Sequence, residues 1–161
     1  MDSVVGPGGV ASGDMVNIWF DSCDITQDIR DRLWSYIADE IDQILDKFYG
    51  RIQTSEFRSL IDNTDVPLLK HKQINHWRRL IEYPVDDDYE NRLRNMHAYH
   101  LNVGLKNSQY IASYFFLMNL FQKAVLRHAS GPREAYELIV ALNSIISEDI
   151  SRALSIEVIE L

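Results

Sequence analysis

The sequence predicts an all-α fold. Apolar residues recur at steps of three and four, Gly and Pro are confined to a few interruptions, and no alternating apolar–polar run is long enough for a strand. A chain of 161 residues, 46% of them hydrophobic, has enough apolar material for one sizeable core. About six to eight helices are expected to build it.

The elements follow in order. Residues 1–14, "MDSVVGPGGVASGD", are rich in Gly, Ser and Pro and are expected to form a flexible tail, leaving 15–161 as the domain. Ile25, Ile29, Leu33, Ile37, Ile41, Leu45, Phe48 and Ile52 then make one helical stripe, predicted to be two consecutive helices bent near Ala38. Asp24, with Gln27 three residues on, has the pattern of a capping box. A short helix is expected over "SEFRSLI", residues 55–61. Asp65 and Pro67 are start signals for a helix carrying Leu69, Gln73, Trp77 and Leu80. Pro84 and the acidic residues after it interrupt the chain, and the next helix bears Leu93, Met96, His97 and His100 and ends at Gly104. Asn107 or Ser108 is expected to cap "YIASYFFLMNLFQKAVL". Ser130–Pro132 separates it from a last helix with Leu138, Leu142, Ile145, Ile146, Ile150, Ala153 and Leu154.

Charge narrows the function classes. The net charge is −8, the pI about 5.0, and no basic cluster is longer than Arg78-Arg79. Nucleic acid and an anionic membrane surface are poor partners for such a chain. Cys23 is the single cysteine, which leaves no internal disulfide and no thiolate cluster for zinc or iron–sulfur. No apolar run reaches the roughly eighteen residues of a membrane span, and the N-terminus lacks the order of a signal peptide. A cytoplasmic soluble domain is expected.

His71, His76, His97, His100 and His128 are the candidates for chemistry. A histidine on an apolar helix face is usually a core residue with a hydrogen-bond partner. A di-iron bundle wants a Glu three residues before an inward His on two helices, and no Glu stands there before any of the five. His97 and His100 share a face, but nothing completes a four-ligand zinc set. A haem asks less: one axial imidazole and an apolar slot. His100, in line with Leu93 and Met96, has that setting, while His97 lies nearly a turn earlier.

These residues also carry a resemblance. His100, Gly104, Leu105, Tyr110 and Tyr114 in "HLNVGLKNSQYIASY" resemble the proximal signature H-x-x-x-G-[LIV]-x-x-x-x-Y-x-x-x-[YF] of the globin-coupled sensors. "FYGRI" resembles the end of that family's second helix, and "LKHKQINHW" its distal helix. "GLKNSQY" departs by lacking the Pro and Trp that many members carry there. The resemblance runs from about residue 20 to the C-terminus. It implies a globin fold, a three-on-three helical sandwich with an extra N-terminal segment, holding haem b with His100 as the iron ligand. It implies that the Tyr49 hydroxyl donates to O2 on ferrous iron, with CO and NO as further ligands, and that Leu69 lies near that ligand. Tyr110 is implied to contact the proximal histidine region, where its phenol would accept from or orient the second imidazole nitrogen.

Helix geometry sorts the other polar residues near Leu69. His71 is rotated by about 200° from it, and His76 returns to its side but about 10 Å along the axis. Gln73, one turn on, is the better second polar group for the pocket, ahead of Lys72. The last two helices are more apolar than one face against a core requires, which predicts association. In the resembled family they form an antiparallel four-helix dimer bundle, and the last leads to an output domain. Here the chain stops inside that helix, at "IEVIEL", as though an output domain had been cut away or never built. An oxygen sensor that relays its ligation state is therefore expected, not itself an enzyme, since the Leu69 position offers no distal base for peroxidase-like or dioxygenase chemistry. An oxygen carrier or gas-processing globin and a structural helical dimerisation module are the alternatives.

Overall fold

A computed structural model describes residues 19–20 and 24–155. The expected tail, residues 1–14, and the terminal "IEVIEL" lie outside them. Among the described residues there are six α-helices, one 3₁₀ turn and no strand: α1 Gln27–Ala38, α2 Ile41–Gln53, the 3₁₀ turn Arg58–Leu60, α3 Val66–Glu82, α4 Tyr89–Asn102, α5 Asn107–His128 and α6 Pro132–Leu154. The arrangement is that of a globin fold. No helix of the described residues is long and apolar enough to cross a membrane.

The continuous stripe of the first two helices survives the break between them. Leu33, Trp34 and Ile37 on α1 and Ile41, Ile44, Leu45 and Tyr49 on α2 are all buried. The Glu40 N–H closes onto the Ile37 carbonyl at 3.0 Å, so the chain turns and the helix resumes on the same face. The N-cap of α1 is Thr26, whose hydroxyl accepts from the Ile29 N–H, in place of the expected Asp24–Gln27 box. A short hydroxyl adjoining the first turn reaches the free N–H, whereas Asp24 lies two residues too early. The region expected as a short helix contracts to the 3₁₀ turn.

Asp65 caps α3, accepting from the Leu68 N–H at 3.0 Å, and Pro67 occupies the first turn, where its missing donor costs nothing. The other end of α3 is finished by a different helix. Arg30 of α1, 3% exposed, donates from Nη1 to the carbonyls of Leu80, Ile81 and Tyr83 at 3.1–3.3 Å. A guanidinium satisfies carbonyls that the helix itself leaves unpaired and complements the negative end of its dipole.

Gly104 ends α4 as expected, with φ +82. The Gly104 N–H bonds the Leu101 carbonyl at 3.0 Å and the Leu105 N–H bonds the His100 carbonyl at 2.9 Å. This double closure in the left-handed conformation favours glycine. The next cap departs from expectation. Lys106 is the N-cap of α5, and Gln109 reaches back to accept from its backbone N–H at 3.0 Å, so Asn107 and Ser108 fall inside the helix.

Helices α5 and α6 are joined by three residues, run antiparallel, and form the most extensive helix pair. Leu33, Ile37, Leu45, Trp77, Ile81, Phe121, Val125, Leu138 and Leu142 fill the centre. The Trp77 indole meets Tyr114 and Phe121 edge-on at 5.6 and 5.1 Å. The inward face of α6 differs from expectation at three positions. Leu154 turns outward, 36% exposed, while Glu148 and Asp149 lie inside, 5% and 1% exposed.

Candidate functional site

His100 projects from the last turn of α4, a helix that packs chiefly against α6. Its ring is half-buried, and its Nδ1 is buried with no hydrogen-bond partner among the described residues. Burial, together with His97 and His76 nearby, lowers its pKa from 6.5 to about 4. The imidazole is therefore neutral near pH 7, the form that offers a lone pair to a metal. The Tyr110 ring lies against it, with centroids 5.1 Å apart and a 55° tilt. The contact between them is ring against ring, and the Tyr110 hydroxyl donates to the Tyr114 oxygen at 3.2 Å. The Tyr99 ring is a second neighbour, edge-on with its centroid 6.0 Å away. His97 is half-buried on the same helix.

Tyr49 comes from α2 and is 6% exposed, with Phe48 edge-on at 5.1 Å. Burial pushes its phenol up to about 12, so it stays protonated and able to donate. Gln73 of α3 opposes that rise, which is the effect of a donor to the phenol oxygen. Trp77 orients the Gln73 amide for this role. Its Nε1 donates to Gln73 Oε1 at 2.8 Å, leaving the NH₂ for Tyr49. Electrostatic influence from Tyr99 shows that α4 approaches Tyr49 here. Leu69 is half-buried against the core, whereas His71 and Lys72 are exposed. Lys70 ties α3 to α2 through Asp42 and Asp46, each at 2.7 Å.

Gln73 thus adjoins Tyr49, and Tyr110 packs on His100. Three further residues have parts here that the sequence did not disclose. Trp77, expected only as an apolar face residue, is the group that orients Gln73. His76 comes close enough to His100 to lower its pKa. Asp149 stands at a buried polar centre. Tyr89 of α4 donates to its Oδ1, Tyr114 of α5 donates to its Oδ2 at 2.5 Å, and His76 Nε2 of α3 lies 3.4 Å from Oδ2. Burial by itself would raise the Asp149 pKa, but the nearby His76 and the phenol donors outweigh it and hold the carboxyl below its ordinary value. The same carboxylate and burial push the Tyr89 and Tyr114 phenols up. The signal for Asp149 was its step: Leu142, Ile145, Ile146, Asp149 and Ala153 keep one helical face.

Comparison with known families finds a match to the protoglobin family over residues 23–158. No curated protein matches the chain.

Proposed function

The chain belongs to the protoglobin family, the globin domain of globin-coupled sensors, and as such is a globin-like haem-binding domain; from that premise we propose that it is an oxygen sensor. In this reading residues of α2, α3, α4 and α5 would hold a b-type haem, and a second copy and an output domain would receive its signal through α5 and α6. The observation that carries the reading is the His100 imidazole: neutral, set on a half-buried face, with a buried Nδ1 that no described protein group takes up. A buried polar nitrogen without a partner is costly, and a cofactor that engages the ring gives it a use.

Ferrous haem supplies reversible coordination of diatomic gases. The protein supplies the rest. His100 would hold the iron, and Tyr110 would set the rotation of its ring by face contact. Leu69 would keep the gas-binding side apolar. Tyr49 supplies the donor, held in rotamer by Gln73 and through it by Trp77. A phenol that donates discriminates between gases, because bound O2 is more polar than CO. A hydrogen bond to a charged partner contributes roughly 1.5–3 kcal/mol, and about 1.4 kcal/mol is a tenfold change in dissociation.

Tyr49→Phe is accordingly expected to speed O2 release by roughly one to two decades and CO release much less, as read by stopped-flow displacement. Small and equal changes for both gases would place the hydroxyl away from the ligand and favour the carrier reading without a distal donor.

A further inference from the structure

The buried carboxylate of the last helix is the other end of the chain of groups that begins at His100. The Tyr110 ring packs on His100, its hydroxyl donates to the Tyr114 oxygen, and the Tyr114 hydroxyl donates to Asp149 Oδ2. Tyr89, at the first residue of α4, donates to Asp149 Oδ1. One residue of α6 therefore holds α4 at its start directly and at its end through Tyr110 and Tyr114. His76 of α3 lies 3.4 Å from the same oxygen, an ion-pair approach without a hydrogen bond.

Three helices each send one polar side chain to a single residue of a fourth. A carboxylate buried to 1% exposure contributes little net stability over a well-packed apolar residue, because desolvation offsets the bonds it makes. What it does supply is geometry. Each carboxylate oxygen has its own phenol, and a displacement of α4 relative to α5 lengthens one bond while sparing the other, so the change must be taken up by α6. Apolar contacts at the same place would slide instead.

We propose that Asp149 is the positioning residue through which the state of the His100 side of the site reaches α6. The inference rests on the reading of His100 given above, and the experiment separates the two. Hydrogen exchange of α6 is measured in the full chain, haem-free, ferrous and CO-saturated, for the unmodified protein, Asp149→Asn and Tyr89→Phe. In the unmodified protein, amides 145–153 are expected to differ between the ferrous and CO forms by about tenfold, the size of a typical coupling between sites. In both variants that difference falls below about twofold, while the Soret band and the effect of Tyr49→Phe on O2 release persist. In the haem-free chain, Tyr89→Phe is expected to speed exchange in α4 and α6 together, and in Asp149→Asn a further Tyr89→Phe change adds nothing.

A ligand-dependent difference that survives in both variants overturns the inference, as does an α6 that never responds to ligand while His100→Ala abolishes the Soret band. In those cases the reading of His100 stands. A chain that takes up no haem overturns both. Haem-free exchange in which Tyr89→Phe alters α4 alone overturns the role of Asp149 without reference to haem.

Discussion

A histidine ring nitrogen buried without a hydrogen bond costs folding free energy, and the cost has a measurable sign. In the haem-free chain the folded His100 pKa, about 4, lies below the ordinary 6.5. The unfolded chain therefore binds a proton that the folded chain refuses between those values. The neutral ring's contribution is fully present above pH 6.5 and is lost as the pH falls through about 4. Comparing haem-free protein with His100→Leu, the stability difference is expected to move against the histidine chain by about 1.4 kcal/mol per pH unit across that window, and to be flat above it. Urea unfolding at a series of pH values reads it directly. A difference independent of pH would mean that the ring is charged or solvated in the fold.

Most helix boundaries were legible because single residues write them. The Ile37–Ile41 step carries the stripe across a bend, Asp65 with Pro67 opens α3, Gly104 closes α4 and Pro132 opens α6. Boundaries set by reach rather than residue type were not legible. Gln109 returns to the Lys106 N–H, and Thr26 displaces Asp24, because the local path of the chain decides which oxygen meets the free donor. The same limit hid Arg30, whose charge reads as a solvent face until α3 ends against it. Replacing it tests that contact. Arg30→Met keeps the stem and removes the donor from three carbonyls, and is expected to destabilise the protein by about 2–3 kcal/mol with little change in m-value. Loss below about 0.5 kcal/mol would mean that water caps α3 equally well.

Across the whole molecule, the apolar excess of the last two helices stays outside the core: Phe115 is 56% exposed and Leu126 58% on α5, and Tyr136 74% and Val140 48% on α6. Side chains of this size on two adjacent antiparallel helices are what a four-helix pairing of two copies would cover. Sedimentation velocity is expected to give a dimer for the unmodified chain and a monomer for Phe115→Asp with Leu126→Asp, with helical content unchanged. A monomer in both would remove the pairing and with it a route from α6 to a partner. The globin fold was legible in the order of three motif blocks. The polar centre was not, since Asp149, Tyr89 and His76 lie far apart in sequence and meet only when four helices pack.

The proposed gas binding depends on one imidazole, and one measurement addresses it most directly: the absorption spectrum of the haem-loaded chain, reduced and then exposed to O2 and to CO, beside that of His100→Ala. The unmodified protein is expected to show a Soret band that shifts reversibly with each gas, and His100→Ala to lose or alter it, with free imidazole restoring the original spectrum. An identical spectrum in His100→Ala, or no band in either protein, would contradict His100 as the iron ligand.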